Sequence, residues 1–243
     1  MSLNKKSLMS EALKFSNLRY SYPASEGEEA LRGVTFSIGR GEKVALLGLN
    51  GAGKSTLLLQ TNGLLSPTSG SVEVDGIQLT KKTVAEARRK VGMVFQNADD
   101  QLFSPTVYAD VAFGPQMMKL PEEEVDRRVR EALEAIGASH LIERPTTRLS
   151  GGERRMVAIA TVLSMEPSIL VLDEPTSYLD LRGRITLANL LRKLPHAMLL
   201  ATHNLDLARD ICPRSILLDH GSVVFDGPTA DAIPRLVSLS AVR

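Results

Sequence analysis

The sequence has little of several residue types, and each shortage excludes a class of protein. Cys212 is the one cysteine among 243 residues, so no internal disulfide can form and the chain fits a reducing compartment. Tryptophan is absent and aromatic residues make up 4% of the chain, which argues against stacking platforms for single-stranded nucleic acid. We expect Cys212 to be a small packing residue and not a reactive thiol.

Neither the charge nor the hydrophobic pattern indicates that the chain binds nucleic acid or crosses a membrane. Lys and Arg total 29 against 28 Asp and Glu, which leaves a net charge of +1 and no basic field. The longest apolar runs, such as Ile169–Leu172, have the length of a core strand and not of a membrane span. Met1–Ser10 carries Lys5 and Lys6 but no apolar stretch, so we do not expect it to be a signal peptide. If the protein serves a membrane process, another protein crosses the membrane.

Short apolar runs bounded by turn residues predict an α/β fold. Hydrophobic residues make up 43% of the chain, enough for the core of one large domain with an inserted lobe. Helical patterns between many runs indicate a mainly parallel sheet, with early and late antiparallel strands at its edge. The runs that we interpret as strands are Val34–Ile38, Lys43–Leu47, Ser71–Val74, Val91–Phe95, Ile169–Leu172, Ala197–Ala201, Ser215–Leu218 and Val223–Phe225.

The stretch from Gln96 to Met165 differs, because it contains no convincing strand. Glu122–Ile136 is amphipathic and begins after Pro121, and Ser150–Leu163 begins with two glycines and then has a helical pattern. The apolar face of the first helix is formed by Val125, Val129, Leu133 and Ile136. We predict a single domain in which residues 1–95 and 166–243 form the α/β core and residues 96–165 form a helical subdomain.

A phosphate-binding loop follows the strand Lys43–Leu47. Residues 48–55 read Gly-Leu-Asn-Gly-Ala-Gly-Lys-Ser and match G-x-x-x-x-G-K-[ST] between a strand and a helix, which is the context that the motif requires. Backbone N–H groups of such a loop and the positive helix end cradle phosphate oxygens, while Lys54 reaches the β- and γ-phosphates and Ser55 binds Mg²⁺. The expected nucleotide ligands here are Gly48, Asn50, Gly51, Ala52, Gly53, Lys54, Ser55 and Thr56.

Two acidic residues end the apolar strand Ile169–Leu172. The carboxyl ends of strands are where α/β sheets bind ligands. We expect Asp173 to orient Mg²⁺ and Glu174 to polarise the attacking water as a general base, so that adjacent carboxylates have different roles. An acidic turn after a buried strand is the alternative, and the P-loop upstream argues against it.

The segment Leu149-Ser150-Gly151-Gly152-Glu153 lies between these two nucleotide motifs. With the P-loop, it makes the chain resemble the ATP-binding subunits of ABC transporters, because few other P-loop proteins have L-S-G-G at this place. The resemblance implies that Ser150, Gly151 and Gly152 bind the γ-phosphate of ATP held by a second subunit, so that two chains enclose two ATP molecules. A serine N-cap with a flexible glycine pair is the purely structural alternative.

Further motifs of that family follow in order. Tyr22 resembles the aromatic residue that stacks on adenine, with Tyr20 as the alternative. Gln96 resembles the Q-loop glutamine that senses Mg²⁺ and the γ-phosphate. Ser177–Asp180 resembles the D-loop that couples the two sites, although Tyr178 replaces the usual small residue. Asp180 of this loop is one of the expected nucleotide-binding residues. His203 resembles the switch histidine that contacts the γ-phosphate.

The segment after Gln96 is similar to the cobalt/nickel-type importers and to their energy-coupling-factor relatives for vitamins. It runs from Asn97 to Val107 and carries Leu102 and Phe103, which form a plausible socket for the coupling helix of an integral-membrane subunit. Alternatively, both side chains pack inside the helical lobe. The resemblance implies an ATPase that works as a dimer, with ATP and Mg²⁺ as cofactors, at the cytoplasmic face of the cell membrane. A complete motif set on one chain permits a homodimer with two competent sites, which we prefer to a heterodimer.

Two function classes other than transport are the alternatives. A soluble ABC-type ATPase acting on DNA or ribosomes usually carries two cassettes, coiled-coil insertions or zinc modules, and the sequence has none of them; salt-sensitive DNA binding would favour it. A nucleotide-binding module without hydrolysis is disfavoured because Glu174 and His203 are present. No transition-metal cluster is evident, since the four histidines are scattered. We therefore expect a transported metal ion to be bound by the membrane subunit.

Overall fold

The computed structural model describes residues 11–23, 27–177 and 179–241. The sequence interpretations of Met1–Ser10 and of Tyr178 in the D-loop lie outside these residues. The strands are β1 (Glu11–Ser21), β2 (Glu29–Gly39), β3 (Lys43–Leu47), β4 (Ser69–Val74), β5 (Ile77–Gln78), β6 (Val91–Val94), β7 (Ile169–Asp173), β8 (Ala197–Ala201), β9 (Arg214–Asp219) and β10 (Ser222–Pro228). The helices are α1 (Lys54–Thr61), α2 (Val84–Arg88), α3 (Val107–Met117), α4 (Glu122–Ala135), α5 (Gly151–Leu163), α6 (Leu181–Lys193), α7 (Leu205–Ile211) and α8 (Thr229–Ala241).

The larger sheet has six strands in the order β10-β9-β3-β8-β7-β6. Its strands are parallel except for β10, which pairs antiparallel with β9 at the edge. All five residues of β7 and of β8 are buried, which explains why these strands appear in the sequence as uninterrupted apolar runs. The predicted parallel core and its late antiparallel edge strand are confirmed.

The early strands form a second sheet of their own. It is antiparallel and has four strands in the order β2-β1-β4-β5. The sequence interpretation missed β1 because its alternation is broken at Asn17, which has a φ of 48° and lies in a register shift between Phe15 and Leu18. Phe15 and Leu18 are nevertheless fully buried in the core beneath this sheet. A bulge of this kind moves the apolar side chains by one position and hides the period of two.

Helices α3, α4 and α5 pack together between residues 107 and 163, and the helical stretch predicted between Gln96 and Met165 is confirmed. The predicted apolar face of α4 is buried. Three glutamates in its first turn interact favourably with the positive end of the helix dipole. Pro121 is the N-cap of α4 and not its first helical residue. The predicted subdomain boundaries remain an interpretation of this arrangement.

The chain's helices are short. Within the described ranges, none combines the length and the apolar character that crossing a bilayer requires.

Candidate active site

The loop between β3 and α1 has a backbone that few residues other than glycine adopt. Gly53 has a φ of 102°, and a Cβ atom there would lie 2.7 Å from the carbonyl oxygen of Ala30. Gly48 has a φ of 157°, and its Cβ atom would lie 2.4 Å from the carbonyl oxygen of Leu218. In the described residues no side chain caps the N-terminus of α1. The first N–H groups of this helix are therefore not used by a side-chain cap, which leaves them to bind an anion.

Lys54 is held inside the same loop. Its Nζ atom donates to the carbonyl oxygens of Gly48 at 2.7 Å and of Leu49 at 3.1 Å. Burial lowers the pKa of Lys54, while the nearby carboxylates of Glu174 and Asp173 raise it. The ammonium group is thus fixed at the centre of the site among groups of opposite charge.

Asp173 ends β7 beside Ser55. Burial raises the pKa of the Asp173 carboxyl, and a hydrogen bond from the Ser55 hydroxyl and the charge of Lys54 act in the opposite direction. Ser55, Asp173 and the exposed Gln96 line the same cavity. All three side chains offer oxygen atoms, which are the ligands that Mg²⁺ prefers, so the residues present fit this ion.

Glu174 occupies an unusual backbone conformation directly after the strand. Its φ is 44°, and its N–H donates to the carbonyl oxygen of Ala201 on the neighbouring strand at 2.9 Å. A non-glycine residue held in this region stores about 1–3 kcal/mol of strain, which is characteristic of functional sites. The hydroxyl of Thr202 donates to Oε2 at 3.4 Å, whereas the buried Oε1 accepts no hydrogen bond from the described residues. Oε1 is therefore a buried acceptor whose hydrogen-bonding capacity is unused, which is uncommon away from functional sites.

His203 lies beside both Glu174 and Lys54. Its Nε2 atom lies 3.6 Å from Oε1 of Glu174 and 3.5 Å from Nζ of Lys54. The imidazole is about half exposed, so it can reach a ligand as well as the two charged groups. Thr202, which the sequence interpretation missed, orients Glu174 and also accepts the N–H of Asn204 at 3.0 Å. Its position as a polar residue directly after a buried strand was the available signal.

Strand register brings these side chains together. Asp173 of β7 and Leu46 of β3 both pair with Ala201 of β8. The carboxyl ends of three adjacent parallel strands therefore lie at one level, and the loops that follow carry the chemistry. They enclose a cavity of about 590 Å³, lined by Tyr22, Ala30, Asn50, Gly51, Ala52, Gly53, Lys54, Ser55, Thr56, Gln96, Asp173, Glu174 and His203.

The two tyrosines proposed to stack on adenine have different environments. Tyr22 is 41% exposed beside the P-loop, and its hydroxyl lies 2.9 Å from that of Thr56. Tyr20 is 7% exposed and meets the Tyr22 ring edge-on at a centroid distance of 5.0 Å. Of the two rings, Tyr22 is therefore the one accessible to a base.

The predicted signature residues lie apart from the P-loop of the same chain. Ser150 caps α5 in a reciprocal arrangement, in which its hydroxyl accepts the Glu153 N–H at 3.3 Å and its own N–H donates to Glu153 at 2.7 Å. Asp180 caps α6 by accepting the N–H of Gly183 at 2.7 Å. These residues border a different cavity, of about 690 Å³, together with Gly151 and Gly152.

A family model described as "ABC transporter" matches residues 31–177 of the chain. The chain is an ABC transporter ATP-binding domain. The matched region of the ABC domain contains the P-loop, the signature segment and the carboxylates Asp173 and Glu174. It ends before Asp180 and His203, whose roles rest on their positions beside these motifs.

Known ABC proteins resemble the chain over most of its length. A putative ABC transporter ATP-binding protein from Geobacter sulfurreducens is 55% identical over 215 residues, which is 88% of this chain and 86% of that protein. The energy-coupling factor transporter ATP-binding protein EcfA from Methanosphaera stadtmanae is 52% identical over 204 residues, covering 82% of this chain and 73% of the relative.

Solved ABC structures share the fold. CbiO1 from Clostridium perfringens, described as part of the ABC transporter complex CbiONQ, has a TM-score of 0.84 and 40% identity, with 95% of this chain and 94% of that chain covered. A bacterial ABC transporter cassette solved as a dimer has a TM-score of 0.79 and 31% identity, with 89% of this chain and 98% of that chain covered. The ABC ATPase fold predicted from the motifs is confirmed.

Proposed function

We propose that the chain hydrolyses ATP and energises an ABC importer from the cytoplasmic face of the cell membrane. The observation that carries the hydrolytic part is the environment of Glu174. Glu174 lines a cavity together with Lys54 and the phosphate-binding loop, and its buried Oε1 atom accepts no hydrogen bond from the described residues. A module that only binds nucleotide does not require such a carboxylate beside the phosphate-binding loop.

The residues divide the chemistry among them. The P-loop N–H groups and Lys54 hold the β- and γ-phosphates, and Glu174 accepts the proton of the attacking water. His203 orients that water and the γ-phosphate from the position next to Glu174. Ser55, Asp173 and Gln96 would hold Mg²⁺, which neutralises charge that develops on the phosphate oxygens.

A second copy would complete each site. Ser150 and Gly152 border a cavity separate from that of their own P-loop, so we infer that they bind a phosphate brought by another chain. The N-terminus of α5, capped by Ser150, offers N–H donors and a positive helix end to that phosphate. The similar cassette solved as a dimer supports this assembly. We infer a homodimer, because one chain carries a complete set of motifs.

The segment after Gln96 supplies a surface for the membrane subunit. Phe103 is 68% exposed and meets Phe113 of α3 edge-on, with ring centroids 4.9 Å apart. Asp110 is buried and accepts the N–H groups of Phe103 and Ser104 at 3.2 and 3.0 Å, so the backbone that carries the exposed ring is held in place. Leu102, the other residue proposed for this socket, packs partly buried against the core. An apolar helix of the membrane subunit is the occupant that an ordered, exposed aromatic pair fits.

Cobalt or nickel is the substrate that we favour, and a vitamin is the alternative. The segment after Gln96 carries the resemblance to cobalt/nickel-type importers, and the similarity to CbiO1 of the CbiONQ complex supports it. The similarity to EcfA supports an energy-coupling-factor importer. No cluster of histidine, cysteine and acidic residues occurs in the parts of the chain that the structure covers, so the membrane subunit would bind the ion.

Two variants test the ATPase assignment. Lys54→Ala should abolish ATP binding and hydrolysis, because the buried ammonium is the main charge facing the phosphates. Glu174→Gln should still bind ATP, hydrolyse it at least 100-fold more slowly and accumulate as an ATP-bound dimer in size-exclusion chromatography. Unchanged hydrolysis by Glu174→Gln would remove Glu174 as the base, and an absence of ATP-driven dimers would remove the sandwich.

The transport assignment needs the membrane subunit. Phe103→Asp should lose co-purification with a multispanning partner while hydrolysis by the isolated chain stays unchanged. Val237→Asp is the matched control, because Val237 is a similarly exposed apolar residue on α8, away from this surface. Uptake of cobalt, nickel and vitamins in a deletion strain, complemented by parent or Lys54→Ala, distinguishes the substrates. Retained partner binding by Phe103→Asp would contradict the proposed surface.

A further inference from the structure

Arg155 is a buried charge in the first turns of α5. Its side chain is 2% exposed, and no carboxylate of the described residues lies within ion-pair distance of its guanidinium group. Burial lowers the pKa of Arg155, and the more distant carboxylate of Asp173 raises it. A buried guanidinium without a paired carboxylate is expensive to maintain, and an apolar residue of similar volume would often be at least as stable. Its presence therefore needs a reason other than stability.

The guanidinium group holds two consecutive carbonyl groups where β6 leads into the Q-loop. Nη1 donates to the carbonyl oxygen of Phe95 at 2.5 Å, and Nη2 donates to that of Gln96. The planar fork of arginine suits two acceptors at once, whereas a lysine ammonium does not span them in the same way. Gln96 thus has its backbone fixed to α5, while its exposed side chain lines the nucleotide cavity.

A second contact fixes the same junction from the other side. Oε1 of Gln101 accepts the N–H of Phe95 at 3.3 Å. Nε2 of Gln101 donates to the carbonyl oxygen of Ala158 at 2.7 Å and lies 2.9 Å from the Thr161 hydroxyl, both on α5. Both backbone polar groups of Phe95 are therefore bound by side chains that belong to α5 or are anchored to it. The Q-loop and α5 are expected to move as one unit.

The same helix carries the signature residues at its tip. Arg155 follows Gly151 by four residues, which corresponds to about 6 Å along a helix axis. Gly151 at the helix tip and Gln96 in the Q-loop line one cavity of about 710 Å³. Ser55, Arg155 and Asp173 also line it. A displacement of the tip along the helix axis would thus be carried through Arg155 to the carbonyl of Gln96.

We propose that Arg155 is a positioning residue, which couples contact at the signature end of α5 to the placement of Gln96. Within each copy of the dimer, Arg155 would thereby link the ATP site that the signature residues contact to the ATP site at the P-loop of the same copy. This inference rests on the proposed ATP hydrolysis and the proposed sandwich. When the partner's phosphate binds the tip of α5, the helix shifts and Arg155 draws the Q-loop with it. Gln96 then reaches the position from which it assists hydrolysis at the P-loop of its own chain.

A double-mutant cycle on kcat tests this role, because residues that act through one another are not additive. Arg155→Met should lower kcat by about tenfold, since displacement of a positioned group by about 1 Å can cost up to a hundredfold. The Kd for ATP should stay within twofold of the parent value. In a Gln96→Ala background, Arg155→Met should change kcat by less than twofold, because the residue through which it acts is already missing. Arg130→Met on α4 is the matched control, since Arg130 pairs with Asp126 at the surface of the helical lobe.

Arg155→Lys extends the cycle and guards against misfolding. It keeps the charge and can donate to one of the two carbonyls, so it should give a kcat between those of the parent and Arg155→Met. It should likewise lose its effect beside Gln96→Ala. The proposal is overturned if either variant lowers kcat by the same factor in both backgrounds, if kcat is unchanged, or if ATP affinity falls in parallel with kcat. If the parent hydrolyses ATP and Lys54→Ala does not, such a result rejects only the role of Arg155.

Discussion

The Nε2 atom of His203 lies 3.6 Å from the Oε1 atom of Glu174, the one carboxylate oxygen of that residue which accepts no hydrogen bond from the described residues. Their proximity follows from the pairing of β7 with β8, in which Asp173 is opposite Ala201. The gap is slightly longer than a hydrogen bond. It therefore allows both side chains to contact a single water or phosphate oxygen placed beside them.

Removing the imidazole should slow hydrolysis without abolishing nucleotide binding. We expect His203→Ala to reduce kcat by at least about 100-fold, a typical contribution of a group that assists proton transfer. Binding of a fluorescent ATP analogue should stay near the parent value, because Lys54 and the loop N–H groups remain. Comparable kcat values for the variant and the parent would show that His203 has no part in the reaction.

Tyr22 offers a test of base stacking in which ring and hydroxyl can be separated. Tyr22→Ala should raise the Kd for ATP by about tenfold, because stacking on one aromatic ring contributes roughly 1–3 kcal/mol. Tyr22→Phe keeps the ring and loses only the hydroxyl that lies 2.9 Å from Thr56, so its Kd should stay within about threefold of the parent value. Isothermal titration calorimetry measures both. Equal Kd values for the alanine variant and the parent would exclude stacking on Tyr22.

Gly92 marks a close approach between β6 and α5. A Cβ atom on Gly92 would lie 2.2 Å from Cγ1 of Val162 and 2.8 Å from Cγ of Pro167. Gly92→Ala should therefore destabilise the fold by about 2 kcal/mol and lower Tm by about 4–8 °C. Gly39→Ala is the control, because its nearest neighbour would be a Glu42 oxygen at 3.5 Å. Adding Val162→Ala should recover part of the loss, and equal Tm values for the two glycine variants would contradict the contact.

The thiol of Cys212 allows two predictions, one about its labelling and one about how stability depends on pH. It is fully buried at the end of α7, and burial raises the pKa of its thiol to about 12 from an unfolded value of 9.0. A thiol-specific reagent at pH 8 should therefore label the folded chain negligibly and the unfolded chain completely.

The stability contribution of this thiol has a definite sign. Below pH 9 the thiol is neutral in both states, so it does not disfavour folding. As the pH rises from 9 towards 12, the unfolded chain ionises first and the folded state loses stability relative to it. Cys212→Ala should flatten this part of the stability curve in urea titrations. A curve of the same steepness for the variant would assign the alkaline loss to other groups.

Much of the site was predictable because its chemistry depends on short motifs at the ends of apolar strands. The P-loop, Asp173 and Glu174 each follow a buried run that is evident in the sequence, and their convergence follows from the parallel sheet. The bulged strand β1 was missed, because Asn17 breaks the alternation that identifies a strand. Contacts made by Thr202, Gln101 and Arg155 were also missed. They depend on tertiary packing between elements far apart in the chain. The sequence shows that Thr202 is a polar residue directly after a buried strand, but not which side chains these three residues contact.

Leu102 and Phe103 illustrate the same limit on a smaller scale. Both are apolar neighbours in a polar loop, and the sequence interpretation placed them together in one socket. In the structure, Leu102 packs against the core and Phe103 is exposed. The difference arises from Asp110, which binds the backbone of Phe103 and Ser104 and fixes the direction of the chain there. A side chain in the following helix thus helps to determine which of two adjacent residues is exposed.

The common pairing level of Leu46, Asp173 and Ala201 has an evolutionary consequence. Each residue inserted into β3, β7 or β8 would carry the following loop about 3.3 Å further along the strand, beyond the reach of a hydrogen bond. It would also turn the next side chain to the opposite face of the sheet. Length changes in descendants of this protein should therefore accumulate in surface turns such as that between β4 and β5, while these three strands keep a constant length.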